Sequence, residues 1–145
     1  MVEVRDDEKA WEVESGQLTM NFSIQELSAN VAELAKSAAG GEEKALEDLD
    51  SDEWYNLGLD LEELDPIQAP DAYREAIRLD PFNADAHVNL GRLYQLSGDL
   101  KGATRHYQLA LATRPEHQLA NYNLGTIFDE QDDCERAEMF YRKAI

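Results

Sequence analysis

Cysteine is nearly missing from this chain. Cys134 is the only one in 145 residues, so no disulfide can form within it and no cysteine pair exists to hold a structural zinc. Cations are scarce too: 13 Lys and Arg stand against 31 acids, a formal charge of −18. A surface that negative repels phosphate backbones and anionic lipid, which excludes direct nucleic-acid binding by this chain. Long apolar runs are lacking, none approaching the roughly 20 residues that a membrane span requires. Met1 to Lys9 are charged where a secretory leader would turn apolar, so no membrane association and a cytoplasmic location are expected. Pro and Gly are few, 4 and 8, while hydrophobic residues make up 43%; this is the composition of a folded chain, not a disordered one.

Groups able to do chemistry are equally sparse. His87, His106 and His117 lie in three separate local contexts, and none has a Cys, Asp or Glu at the spacing of a metal or triad motif. Cys134, close to the turn into the last helix, reads as a small packing residue. Gly58, Gly91 and Gly125 are isolated, so no phosphate-cradling loop is present. Without a nucleophile, base and orienter, no catalytic residue, cofactor or metal is expected.

What the chain has is a repeat. Ala69, Ala103 and Ala137 are spaced by 34 residues, as are Tyr73, Tyr107 and Tyr141, then Ala76, Ala110 and Ala144, with Pro81 and Pro115 at the same offset. Leu57-Gly58, Leu90-Gly91 and Leu124-Gly125 recur at 33 and then 34, so the first unit has lost a residue in its internal turn, where deletions are absorbed. Small residues at these positions let two helices of a hairpin approach closely, with the aromatics filling the gaps. Ser97-Gly98-Asp99 offers a Gly C-cap followed by an Asp N-cap, and Asp65-Pro66 predicts Pro at the first position of the following helix. Pro81 and Pro115 stop the second helices.

This period and these residues resemble the tetratricopeptide repeat family over about residues 51 to 145. The middle unit carries His87-Val88-Asn89-Leu90-Gly91, then Tyr94, Ala103, Tyr107, Ala110 and Pro115. It departs from the family where His87 stands in a slot usually held by Trp; Trp54 fills that slot in the first unit and Asn121 in the third. His87 is expected to fill it as an aromatic packing residue.

The resemblance implies a binding surface. Asn56, Asn89 and Asn123 each precede the repeated Leu-Gly by one residue and so project alike from successive first helices. In this family those helices line a concave groove, and arrays with such asparagine ladders, including that of the O-linked N-acetylglucosamine transferase, contact the backbone of an extended peptide. An amide suits that task because it both donates and accepts. Chaperone-binding members clamp a terminal carboxylate with Lys and Arg, but Asp52, Tyr55, Leu59, Asp85 and Leu119 stand here instead. Arg92 is the one cation expected on that face, among Asp52, Glu62, Asp85 and Asp129, so a basic or mixed apolar peptide fits better than an acidic tail. The expected contacts are Asn56, Asn89, Asn123, Tyr55, Tyr122 and Arg92, on a protein-interaction scaffold without a reaction of its own.

Ahead of the repeats, residues 10 to 22 alternate as a β-hairpin about Ser15-Gly16, with Trp11, Val13, Leu18 and Met20 on one face. Ser23 with Glu26 as capping box, and Phe22 with Leu27 as staple, then predict a helix. Ala38-Ala39-Gly40-Gly41 forms a joint, and residues 42 to 65 carry 11 acids against Lys44, which suggests a boundary near 40. The expected fold is mostly α: residues 1–41 as the hairpin-and-helix appendage, and 42–145 as a tetratricopeptide helical-hairpin solenoid with repeats near 51–83, 84–117 and 118–145, the last truncated. Its final apolar face lacks a polar cap at Ile145, which suggests a longer array or contact with another copy. The order of hairpin, helix and repeats also resembles the region after the DNA-binding domain of bacterial MerR-like regulators. That resemblance implies an alternative role as a sensor or dimerisation domain, self-associating through the hairpin or the uncapped end.

Overall fold

The computed structural model describes residues 45–145, and every regular element among them is helical. The expected hairpin, helix and joint of residues 10 to 41 lie outside the described residues. The described residues fall into two compact units that divide after Glu75.

In the first unit a short 3₁₀ turn, Leu46–Asp48, buries Leu46 and precedes helix α1, Ser51–Leu64. A reciprocal capping box starts α1: the Glu53 amide donates to Asp50 Oδ1 at 2.8 Å, and the Asp50 amide donates to Glu53 Oε1 at 2.9 Å. Acids in that first turn are matched to the positive end of the helix dipole. Trp54, Leu57 and Leu61 recur at helical spacing and are all buried.

Helix α2 spans Ala69–Leu79, so it starts three residues after Pro66 and the sequence expectation for Pro66 is corrected. Bonds from the Gln68 amide to the Asp65 carbonyl and from the Ala69 amide to the Pro66 carbonyl tighten residues 65–69 into successive turns. Gln68 Nε2 also donates to Asp65 Oδ2 at 2.6 Å, holding Asp65 in the turn. The unit that lost a residue thus also lost the first turn of its second helix. Pro70 then falls in the first turn of α2, where its missing N–H costs nothing.

The second unit contains α3 (Ala84–Leu96), α4 (Leu100–Thr113), α5 (Gln118–Glu130) and α6 (Cys134–Ala144). Helix α4 packs on both α3 and α5, and α5 on α6. The core is built from Ala84, Val88, Ala103, Tyr107, Ala110, Ala120, Leu124 and Ile127, with Phe128 and Phe140 stacked beside it. Each hairpin turn follows one plan. Gly98 takes φ 94° and Asp99 caps α4; one repeat later Asp132 takes φ 61° and Asp133 caps α6. The turn needs a left-handed residue, and Asp is among the few non-glycine residues that tolerate it.

The alanine, tyrosine and glycine series meet as expected. A Cβ on Gly91 would lie 2.9 Å from Tyr107 Cε1, and one on Gly125 would lie 2.6 Å from Tyr141 Cε1. In the first unit a Cβ on Gly58 would lie 2.5 Å from Tyr73 Cε1. Each tyrosine ring rests on the backbone of the preceding helix, which no larger residue than glycine permits without movement.

Candidate functional site

The slot that the family usually fills with Trp is buried in all three repeats, but its middle and last occupants do more than pack. His87 Nε2 lies 2.9 Å from the Pro81 carbonyl and its Nδ1 lies 3.0 Å from His106 Nδ1. A carbonyl only accepts, so His87 carries its proton on Nε2 and its Nδ1 must accept from His106 Nδ1–H. Asn121 Nδ2 donates to the Pro115 carbonyl at 3.1 Å, the equivalent of the His87–Pro81 bond one repeat on. Burial chiefly pushes the His87 pKa below 6.5, helped by the Arg105 charge and opposed by the Pro81 bond. His87 and His106, separate in sequence, are therefore partners across α3 and α4.

His117 also has a partner that the sequence reading missed. It caps α5 by accepting the Ala120 amide on Nδ1 at 3.3 Å, which leaves Nε2 as the protonated nitrogen to meet Asp85 Oδ1 at 2.8 Å. Arg114 Nη1 reaches the same carboxylate oxygen at 3.4 Å. Asp85 is thereby turned toward α5 as the acceptor that fixes the His117 tautomer. Cys134 is exposed at the start of α6, which corrects its reading as a packing residue.

The predicted contact residues are not equally presented. On α1, Asn56 is exposed and Tyr55 is half-buried with its ring 5.8 Å from that of Tyr73. On α3, Asn89 is buried, with 7% of its surface exposed, and Arg92 is half-buried. On α5, Tyr122 is 53% exposed with its ring 5.5 Å from Tyr141, while Asn123 is half-buried and its Nδ2 is shielded from solvent. The three asparagines are equivalent by register only, and Asn89 is the least exposed of them.

In the second unit the Tyr107 hydroxyl ties these side chains together. It donates to Gln95 Oε1 at 2.7 Å; Gln95 Nε2 donates to Thr126 Oγ1 at 2.9 Å; and Thr126 donates to the Asn123 carbonyl at 2.7 Å. Burial pushes the Tyr107 pKa up to about 12, against the Asn123 amide and the Arg92 charge, which favour the ionised form. Gln95, Asn123 and Arg92 thus act on one neutral hydroxyl, and Gln95 carries the link from α3 on to Thr126 of α5. Gln95 and Thr126 were not singled out from sequence. Their signal was available: Glu62, Gln95 and Asp129 recur at 33 and 34 residues, and each accepts from the repeat tyrosine, Tyr73, Tyr107 or Tyr141.

Beside Tyr122 a cleft of about 740 Å³ opens, lined by Asp85, Arg114, Glu116, His117, Leu119 and Tyr122 among others. Leu119 is 44% exposed there. The cleft offers an aromatic ring, an aliphatic side chain, two carboxylates and one guanidinium. It can hold a side chain of mixed character. Among the described residues no group of three or more His, Cys, Asp or Glu could hold a metal, and no helix is long and apolar enough to cross a membrane.

Stacked helical hairpins with a hydrogen-bonded polar surface define a protein-binding repeat scaffold. The chain matches the family model described as tetratricopeptide repeat over residues 82–145. It is similar to tetratricopeptide repeat protein 14 of Mus musculus, 31% identical over 86 residues that cover 54% of this chain and 11% of that protein. It is also similar to superkiller protein 3 of Saccharomyces cerevisiae, 26% identical over 123 residues that cover 79% of this chain and 8% of that protein. The chain therefore spans about a tenth or less of the curated relatives it matches. Among solved structures, YrrB, described as a TPR protein with an unusual peptide-binding site, is 28% identical with a TM-score of 0.61, covering 80% of this chain and 61% of that one. MamA shares the fold at a TM-score of 0.63 and 24% identity, covering 79% of this chain and 74% of that one.

Proposed function

We propose that this chain is a scaffold whose second unit holds an extended segment of a partner protein across α3 and α5, with Asn89, Arg92, Tyr122 and Asn123 as contacts. Asn56 and Tyr55 present the corresponding positions on α1. The observation that carries this reading is the cleft beside Tyr122, where exposed Tyr122 and Leu119 adjoin two carboxylates and Arg114. Exposed aromatic and aliphatic side chains beside a rigid hydrogen-bonded network are what a bound segment needs. Similarity to a peptide-binding tetratricopeptide protein supports it. Asp85 and Glu116 line the cleft against the single cation Arg114, so a basic or mixed apolar segment suits it better than an acidic one.

The test is fluorescence polarisation with two labelled peptides of equal length, one Lys/Leu-rich and one Glu/Leu-rich, against the parent chain, Tyr122→Ala and Asn123→Ala, in a competition format that isolates α5. The basic peptide is expected to bind the parent more tightly at low salt, and each substitution is expected to weaken it. Equal binding by both variants and the parent would remove the groove from consideration.

A further inference from the structure

A second cleft, of about 300 Å³, opens beside α4. It presents Lys101, Thr104, Arg105 and Gln108 from one face of that helix, and Phe128 and Gln131 from the end of α5. No carboxylate lines it, in a chain whose acids outnumber its cations by 31 to 13. Lys101 and Arg105 form no ion pair among the described residues, whereas Arg74, Arg114, Arg136 and Arg142 all do. Two like charges at i and i+4 repel along a helix, so the pair works slightly against α4. It is not part of the repeat plan either. One repeat earlier the same positions hold Ile67 and Asp71, and one repeat later Glu135 and Met139. The floor is aromatic, Phe128 stacked on Phe140 with the Arg136 guanidinium 5.5 Å from the Phe128 ring centre.

We propose that this cleft is a second docking site, specific for an acidic segment of a partner protein that carries one apolar side chain. The carboxylates of the segment pair with Lys101 and Arg105, Gln108 and Gln131 serve its backbone, and the apolar side chain rests on Phe128. Charge complementarity within the cleft selects the occupant: Lys101 and Arg105 line it together and no carboxylate lines it to neutralise them. The site is separate from the groove on α3 and α5 and favours the opposite charge.

The experiment titrates the full chain with a labelled peptide of Asp and Glu around a single Leu, following polarisation and backbone amide shifts. Lys101→Glu/Arg105→Glu, shown by circular dichroism to be folded, is expected to weaken binding by about tenfold or more. The Asn89→Ala/Asn123→Ala variant is expected to bind as the parent does, with shifts confined to Thr104, Gln108, Gln131 and their neighbours. Unchanged affinity in the charge-reversed variant overturns the proposal, as do shifts mapping to Asn89 and Asn123. Equal binding of a peptide with Leu replaced by Ser reduces the cleft to ionic attraction and also overturns it. Concentration-dependent dimerisation abolished by the same charge reversal would assign the cleft to a second copy instead.

Discussion

Gly91→Ala and Gly125→Ala separate two ideas about tight packing, because the geometry and the expected cost run in opposite orders. The new Cβ would come closer to its tyrosine at Gly125, 2.6 Å, than at Gly91, 2.9 Å. Both substitutions gain about 1 kcal/mol of helix propensity. At Gly91 the opposing atoms include the Ala103 carbonyl oxygen at 3.2 Å, which cannot move alone, and a fully buried Tyr107 ring anchored to Gln95 at 2.7 Å. Overpacking of a fixed site costs about 1–3 kcal/mol, and swinging the ring away would break a hydrogen bond worth about 1 kcal/mol. The net expectation is a loss of about 2 kcal/mol, or a fall in Tm of roughly 6 °C. At Gly125 all three nearest atoms belong to Tyr141, a half-buried ring whose hydroxyl meets Asp129 only at 3.5 Å. That ring can turn aside, so the net change should stay within about 1 kcal/mol of zero. Urea and thermal unfolding followed by far-UV circular dichroism measure both. A larger loss for Gly125→Ala than for Gly91→Ala would mean that interatomic distance, not freedom of the ring, sets the cost, and would refute the reasoning.

Burial holds the folded pKa of His87 below 6.5, so the unfolded chain binds the proton more readily and stability falls as pH drops through 6.5 toward the folded value. The difference in unfolding midpoint between the parent and His87→Gln should therefore shrink between pH 7.5 and 5, and a constant difference would dismiss the role of His87. Gly98→Ala should cost about 1 kcal/mol or more because φ 94° is a glycine conformation, whereas Asp132→Gly at φ 61° should be neutral or stabilising by up to about 0.5 kcal/mol; thermal melts of the two check this. His117→Ala loses both the α5 cap and the Asp85 bond, an expected cost of about 1–2 kcal/mol, and His117→Asn should recover the capping share alone, read by urea unfolding.

Much of the fold was legible because a repeat writes each structural requirement three times. Glycine under tyrosine, alanine at the helix crossing and a cap at each turn depend on local backbone geometry, and that geometry recurs with the period. Pro66 was misplaced because the lost residue changed the turn itself: bonding tightened over residues 65–69, and the helix began late. The site was legible only in register. Spacing placed Asn56, Asn89 and Asn123 on equivalent positions, but exposure depends on what neighbouring side chains cover, so Asn89 came out buried and Asn56 exposed. The histidine partnerships were hidden for a similar reason. Separations of 19 residues for His87–His106 and 32 for Asp85–His117 match no local motif, and only helix packing brings those atoms together.

The three tyrosines share an acceptor position but not an acceptor. Glu62 and Asp129, as carboxylates, can only accept, whereas the amide of Gln95 accepts from Tyr107 and donates onward to Thr126. The amide is what converts a bond within one hairpin into a link between α3 and α5, beneath the residues proposed to contact a peptide. Gln95→Glu keeps the Tyr107 bond and removes the onward donor. Thr126 already commits its own hydrogen to the Asn123 carbonyl, so the new carboxylate oxygen would face an oxygen with nothing to share. The expected cost is about 1–2 kcal/mol, with faster amide exchange along α5 near Asn123. In a Thr126→Val background, where the opposing oxygen is gone, the same substitution should cost less. A Gln95→Glu penalty of the same size in both backgrounds would show that the link carries no energy and that α3 and α5 are held by their apolar contacts alone.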